Sequence, residues 1–454
     1  METAAKTIID EIAPGFAEKQ FSDISGPAGT GKTFLVKDWA AQAPGIALAA
    51  TTGIASINLG EGTTINAMLG FFDTASLTQA YTSGFLNMRL RRLYSAGLRR
   101  IVLDEKSMLD ADQLTMIVRA IEEVGGQGFD VTDSDPDSEK PQIGLTLVGD
   151  FAQLSPVKAE FAFQSPTWPT HFQDNSLKLT EIRRQTDREF IEAIQAVRVG
   201  RVKSALDYFG GRIEQFSESA YEGVTIFAKN DSVARYNQLK LDKLATPFIR
   251  FKSTRWGKQR SEWGNLDKHP STWGIPQELV VKEKALVMVL ANMREFDPMG
   301  GNNPNRPFIY VNGDLGTLES ADGLIAKVTL QRTGKVVDVM MVTRDVTAPL
   351  DAARRKELKA QGADDKISDD GKYEILGQIT YMPLRLAWAS TVHKTQGLSL
   401  DNVQINIGDH FFKSSGMLYV ALSRARTPGG LRLVGSPAMF AERCTVDPKV
   451  SPWL

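Results

Sequence analysis

Short apolar blocks separated by longer stretches of helical period set the rhythm of this chain. Gly45-Ile46-Ala47-Leu48-Ala49-Ala50, Ile101-Val102-Leu103, Leu145-Thr146-Leu147-Val148, Val224-Thr225-Ile226-Phe227-Ala228 and Val403-Gln404-Ile405-Asn406-Ile407 each read as a strand buried on both faces. The segments between them repeat apolar residues at helical spacing, as in Phe34-Leu35-Val36 followed by Trp39-Ala40. This pattern predicts an α/β fold. One helix is expected over residues 1–23, with Ile8, Ile9 and Ile12 on one side. From 279 to 345 the period shortens to short β-like runs at Leu279-Val280-Val281, Leu286-Val287-Met288-Val289, Phe308-Ile309-Tyr310-Val311 and Val336-Val337-Asp338-Val339. Turns at Asn312-Gly313-Asp314 and Thr333-Gly334-Lys335 separate them, which predicts a small β-barrel instead of a further parallel unit.

With 454 residues the chain can hold several domains, each with its own core. No apolar run reaches the ~20 residues of a membrane span, and the start at Met1 lacks a signal peptide's pattern. The single cysteine, Cys444, excludes an intramolecular disulfide and fits a reducing cytoplasm. Net charge is −1, so a nucleic-acid partner needs a local basic track. Two stretches offer one. Residues 70–100 carry Phe71, Phe72, Tyr81, Phe85 and Tyr94 among five arginines from Arg89 to Arg100, and 244–275 interleave Arg250, Lys252, Arg255, Lys258, Arg260 and Lys268 with Phe251, Trp256, Trp263 and Trp273. Either is a solvated rim around a small core, or a surface where bases stack on aromatics and cations meet phosphates.

The chemistry concentrates at strand ends. Gly26-Pro27-Ala28-Gly29-Thr30-Gly31-Lys32-Thr33 is a P-loop between a strand and a helix. Its backbone N–H groups and the helix dipole cradle phosphate; Lys32 reaches the β- and γ-phosphates and Thr33 completes a Mg²⁺ shell. Asp104-Glu105 ends the next strong apolar strand, where a P-loop fold places the Mg²⁺ carboxylate (Asp104) and the group that orients or deprotonates water (Glu105). Gly149-Asp150 through Gln153 to Val157 present a second polar set after another strand. Leu177–Gln185 brings two arginines. The last 80 residues return to α/β character with Thr391-Val392-His393-Lys394-Thr395-Gln396-Gly397-Leu398-Ser399 and Tyr419-Val420-Ala421-Leu422-Ser423-Arg424-Ala425-Arg426.

Together these segments resemble the ordered motif set of superfamily 1 helicases, over nearly the whole chain. The P-loop resembles motif I, Ala50–Gly53 motif Ia, Asp104-Glu105 motif II, Gly149–Val157 motif III, Arg184-Gln185 motif IV, Thr391–Ser399 motif V and Tyr419–Arg426 motif VI. The His393–Leu400 form of motif V and Tyr310-Val311-Asn312-Gly313-Asp314-Leu315-Gly316 are similar to the 5′→3′ branch, superfamily 1B, that includes RecD-type enzymes and the phage helicase Dda. The resemblance implies two RecA-like motor domains. Residues 1–69 and 99–176 form the first, with a strand-separating pin in the insertion 70–98. Residues 177–240 and 377–454 form the second, with a Src-homology-3-like barrel in the insertion 241–376.

It also implies roles. Lys32, Glu105, Gln153, Arg184 and Arg424 would be catalytic, the two arginines as fingers reaching across the cleft. The P-loop, Gln153, Arg184, Gly397 and Arg424 would hold ATP, with Mg²⁺ on Thr33 and Asp104. Thr52, Asn66, His393, Thr395 and Ser399 would contact the DNA strand, and Phe85 and Tyr94 would form the pin. The implied protein is a monomeric cytoplasmic ATPase of a bacterial or phage-infected cell. It would unwind single-stranded and forked DNA in replication, recombination or repair, beside replication or single-strand-binding proteins and away from membranes. Three positions depart from the family: Lys106 replaces a small or apolar residue, Asn66 replaces a His, and Gln20 lies too close to the P-loop to contact adenine. Lys106 motivates an alternative, a nucleic-acid-binding regulatory module with a vestigial ATPase, because a cation there could compete with the metal or pair with Asp104.

Overall fold

The computed structural model describes residues 8–59, 63–126, 142–215, 221, 223–257, 275–295, 308–349, 352–367 and 373–454. Residues 127–141 lie outside them, as do Lys258, Arg260, Trp263, Lys268 and Trp273 of the basic and aromatic stretch. The chain forms two compact units, one of residues 1–230 with 390–454 and one of residues 231–389.

The first unit is α/β. Strands β1 (Phe21–Ser25), β2 (Ile46–Ala50), β3 (Thr63–Thr64), β4 (Arg100–Asp104), β5 (Gly144–Gly149) and β6 (Ser176–Lys178) form one sheet in the order β3-β2-β4-β5-β1-β6. Every pairing in it is parallel. Alternate residues feed two cores. Ile24, Ala50, Val102 and Val148 join Leu35, Val36 and Trp39 on one face, while Ile101, Leu103, Leu145 and Leu147 join Ile117 and Ile121 on the other. Each such fully buried aliphatic or aromatic side chain contributes about 1.5–3 kcal/mol. Of the helix expected over 1–23 the described part is Ile8–Ile12, which ends ahead of Pro14 and Gly15 (φ 75°), and Phe21–Ser25 is strand.

A second sheet in the same unit contains β7 (Ile213–Glu214), β8 (Val224–Phe227), β9 (Ala389–Thr391), β10 (Val403–Asn406) and β11 (Leu431–Val434), in the order β9-β8-β10-β11-β7. The β8–β10, β10–β11 and β11–β7 pairs are parallel. Parallel strands put all their carboxyl ends on one edge of each sheet, where α/β folds bind ligands.

Helices Thr74–Thr82 and Phe85–Ser95 pack on helix Ala111–Gly126, and their Leu77, Ala80, Leu86 and Leu90 share the core of the first sheet. Glu123 of that helix accepts hydrogen bonds from Tyr81 (2.5 Å) and Asn87 (2.6 Å), fixing the pair in place.

The second unit is mostly antiparallel. Strands Val336–Met340, Ile325–Leu330, Leu315–Ala321, Leu286–Val289 and Leu384–Leu386 form a five-stranded sheet in that order. The run Phe308–Tyr310 leaves this sheet and pairs with Met293–Arg294. At the Asn312-Gly313-Asp314 turn the buried Asp314 takes two 2.8 Å bonds from Arg332 and one of 3.0 Å from the Val311 N–H. No pairing among the described residues joins the two outer strands of the sheet into a barrel.

Candidate functional site

The carboxyl ends of β1, β2, β4 and β5 lie side by side, with Ser25 in register with Gly149 and Ala50 with Asp104. The P-loop leaves β1 and enters helix Lys32–Gln42 through Gly29 (φ 88°) and Gly31 (φ 87°), conformations that L side chains avoid. A Cβ on Gly29 would stand 2.9 Å from the Cβ of Arg184. The absent side chain therefore lets the Arg184 segment seat on the loop, where Arg183 N–H donates to the Gly29 carbonyl at 2.8 Å.

Lys32 is buried, its ammonium donating to the carbonyls of Gly26 (2.6 Å) and Pro27 (2.9 Å). Burial pulls its pKa down to about 8 against the opposing pull of Asp150, Glu105 and Asp104. Thr33 Oγ1 donates to Asp104 Oδ2 at 2.9 Å, and the Glu105 N–H donates to Asp104 Oδ1 at 2.8 Å. Burial raises Asp104 above the usual carboxylate range, and burial with the neighbouring Asp104 charge raises Glu105 to about 7. Glu105 holds a left-handed backbone (φ 57°, ψ 45°), uncommon for a non-glycine residue, with its carbonyl tied to Thr51 Oγ1 at 2.9 Å.

A divalent cation fits this corner. The buried carboxylate of Asp104, the half-buried one of Glu105 and a threonine hydroxyl come together there, and burial pushes each carboxylate toward its neutral form. Among the described residues no cluster of three or more His, Cys, Asp or Glu side chains could hold a metal. A single carboxylate and a hydroxyl suit Mg²⁺, which keeps waters and phosphate oxygens as its other ligands.

Lys106 turns away from Asp104. Its ammonium is fully buried, pairs with Asp23 of β1, donates to Ser25 Oγ at 2.6 Å and lies 4.5 Å from the centre of the Phe151 ring. Burial lowers its pKa and the Asp23 carboxylate opposes that.

The opposite wall comes from helix Met417–Leu422 and the Arg184 segment. Arg424 is buried, its guanidinium donating to the carbonyls of Val420 (2.8 Å) and Thr395 (3.3 Å) and to Ser423 Oγ (2.9 Å). Burial lowers its pKa, opposed by the Glu105 charge. Arg184 donates to the Ser423 carbonyl at 2.9 Å, and Gln185 to the Ala425 carbonyl at 2.7 Å; burial and the Arg424 charge bring Arg184 down to about 9. Gln153 is buried with its Oε1 lacking a partner. Lys32, Thr33, Asp104, Glu105, Arg184 and Arg424 are thus drawn into one buried charged cleft.

The residues expected to hold DNA are placed differently. Thr52 Oγ1 accepts the Ala55 N–H at 3.2 Å, and Asn66 donates to the Phe72 carbonyl at 3.1 Å. Thr395 is fully buried and its hydroxyl donates to the Val392 carbonyl at 2.8 Å. His393 is half-buried, which lowers its pKa, and Ser399 is half-buried as well. Gly397 (φ 75°) packs against Asn58, whose amide donates to the Gln396 carbonyl at 3.3 Å. Phe85 stands 42% exposed at the start of its helix, whereas the Tyr94 ring packs on the core beneath the Arg99 guanidinium, 4.2 Å away.

The sequence profile described as PIF1-like helicase matches residues 1–207. ATP-dependent DNA helicase PIF1 of Homo sapiens is 29% identical over 449 residues, 94% of this chain and 59% of that protein. ATP-dependent DNA helicase Pif1 of Bdellovibrio bacteriovorus is 27% identical over 442 residues, 94% of this chain and 86% of that protein. Over nearly its whole length the chain is similar to the Pif1-like helicases. The fold agrees: the Bacteroides Pif1 structure in complex with ADP-AlF4 gives a TM-score of 0.67 at 24% identity, covering 97% of this chain and 94% of that one. The chain spans 59% of the length of its human relative.

Two partners in this cleft, Arg198 and Tyr419, escaped the sequence. Asp150 is held by Arg198 through bonds of 2.9 and 3.0 Å, so that its pKa falls although burial pushes it up. Tyr419 Oη donates to Asp150 Oδ2 at 2.9 Å and accepts the Ala28 N–H of the P-loop at 2.7 Å. Tyr419 sits in an apolar run, Leu418–Leu422, that reads as core, and nothing in the sequence pairs Arg198 with a carboxylate 48 positions away.

Proposed function

We propose that the chain is an ATP-driven DNA helicase that moves 5′→3′ on single-stranded DNA and unwinds duplex ahead of it. The cleft carries this reading: a P-loop lysine, two strand-end carboxylates, and two arginines from beyond the first sheet converge on one buried volume. The names of the human and Bdellovibrio relatives, both ATP-dependent DNA helicases, support it.

Lys32 and the P-loop N–H groups would bind the β- and γ-phosphates. Mg²⁺, held by Thr33 and Asp104, would neutralise phosphate charge and orient the leaving group. Glu105, once ionised, would accept a proton from the attacking water. Arg184 and Arg424, placed by the carbonyls they hold, would face the charge that builds on the γ-phosphoryl group. Such arginines are worth about 10³–10⁵ in rate. Gln153, with a free buried acceptor beside Asp150, would tell the strand-binding side that phosphate is present. Opening and closing of the cleft would then step the strand.

The regulatory-module alternative loses its motive, since Lys106 is bound to Asp23 and not to Asp104. Steady-state ATPase with and without single-stranded DNA tests the proposal. Stimulation by DNA is expected, with at least a 10³-fold loss in Lys32→Ala while single-strand binding persists. A flat rate in the native chain, or ATPase that survives Lys32→Ala, would reject it. Partial duplexes with a 5′ or a 3′ tail test direction, and efficient unwinding from the 3′ tail would overturn the assigned polarity alone.

A further inference from the structure

The arginine of motif VI is held rigidly by its own neighbours. Its guanidinium bonds to Val420, Ser423 and Thr395, all carried by the second sheet and its loops. What places it relative to the phosphate cradle is therefore the seat of helix Met417–Leu422 against the P-loop. Besides the Arg184–Gln185 segment, which bonds to Gly29 on one side and to Ser423 and Ala425 on the other, two contacts form that seat. At the helix start, Gly416 (φ 77°) approaches so closely that a Cβ would stand 2.5 Å from the Gln153 carbonyl oxygen and 2.7 Å from that of Ala152. One turn on, the buried Tyr419 hydroxyl joins the Ala28 N–H to the Asp150 carboxylate.

We propose that Tyr419 is a positioning residue that fixes the distance between Arg424 and the P-loop through its hydrogen bonds to Ala28 and Asp150. The phenol uses one lone pair and its one proton, so the tie is saturated and directional. Its pKa is raised well above the ordinary value by burial and by the Asp150 charge, so the hydroxyl keeps the proton that it donates. Asp150 retains Arg198 and the Ala152 N–H (3.1 Å) without it, so removal of the hydroxyl leaves the ion pair intact. This inference rests on the reading of the cleft as an ATPase site.

The test is Tyr419→Phe, alone and in an Arg424→Ala background, read as ATPase kcat and KM with saturating single-stranded DNA. Loss of the bond donated to the Asp150 carboxylate and of the acceptor for the Ala28 N–H loosens the placement enough to predict a kcat about tenfold lower with KM changed less than about threefold. In Arg424→Ala the same substitution should cost little, because the group it positions is gone. A purely structural tyrosine would instead lower both backgrounds equally, in step with a lower melting temperature. If Tyr419→Phe folds poorly, the comparison of the two backgrounds at equal folded fraction still decides between these outcomes. Equal kcat for Tyr419→Phe and the native chain, or equal loss in both backgrounds, overturns the inference while leaving the ATPase reading intact. A native chain without ATPase overturns both.

Discussion

The nucleotide cleft and the positions expected to touch DNA meet their hydrogen-bonding needs in opposite ways. In the cleft several partners are far apart in sequence, Thr33 with Asp104, Arg198 with Asp150, and Tyr419 with Ala28, the last separated by 391 positions, beside the nearer carbonyls that Lys32 and Arg424 hold. Along the expected DNA path Thr52, Asn66 and Thr395 bond within a few residues of themselves, to Ala55, Phe72 and Val392. Charge explains the contrast. A charge removed from water costs several kcal/mol unless the fold brings it a partner, so the cleft residues bind one another and hold a geometry in advance. The half-exposed hydroxyls and amides of Thr52 and Asn66 carry no such penalty and cap local backbone. The P-loop cleft is built into the fold; contacts to a strand would be made by residues that first release a local bond.

The sharpest way to break that contrast is to unpair a buried charge. Lys106→Met would leave Asp23, whose side chain is 2% exposed, without its cation. We expect a loss of about 3–5 kcal/mol, toward the lower figure because Ser25 and Ser176 hydroxyls still donate to Asp23. Adding Asp23→Leu should restore much of it. Urea denaturation measures both, and a single variant as stable as the native chain would mean that the pair supports nothing.

A smaller effect should appear in the pH dependence of ATPase kcat/KM, which reports groups of the free enzyme. Glu105, raised to about 7, must lose its proton to act as a base, so kcat/KM should climb as pH rises toward 7. Lys32, lowered to about 8, must keep its proton to bind phosphate, so the rate should fall above 8. Each limb should approach tenfold per pH unit. A profile flat from pH 6 to 9 would contradict the buried, charge-coupled cleft.

How much of this the sequence discloses follows the same division. Continuous apolar runs marked β2, β4, β5, β8 and β10 because parallel strands are buried on both faces, and Gly29, Gly31 and Asp104-Glu105 stood out because phosphate chemistry demands those residues at strand ends. Tyr419, Arg198 and the destination of Lys106 did not show, since each depends on a partner supplied by a distant segment. Lys106 in particular read as a threat to the metal corner; the ion pair with Asp23 is invisible until β1 and β4 are placed on either side of β5. The run Phe308–Tyr310 reads as one more strand of the expected barrel, yet it pairs with Met293–Arg294, a choice that periodicity alone cannot make.

The mildest effect concerns the two aromatics expected to part the duplex, which the structure separates. Phe85 opens its helix after Gly84 (φ 75°) and offers 42% of its surface, its ring resting near Gly70 without entering the core. Tyr94, one helix length later, is packed on the core shared with the first sheet and capped by Arg99. A side chain that wedges between base pairs must be free to stack on them, and only Phe85 meets that condition. Phe85→Ala should slow unwinding of a forked duplex a few-fold while ATPase on single strands stays unchanged, because nothing in the cleft leans on it. Tyr94→Ala should instead lower stability by about 1–3 kcal/mol through lost packing and reduce both activities together. Strand-separation rates beside ATPase rates for the two variants decide the matter. If Tyr94→Ala slows unwinding alone and Phe85→Ala does nothing, the pin lies at the far end of this helix and the exposed face is idle.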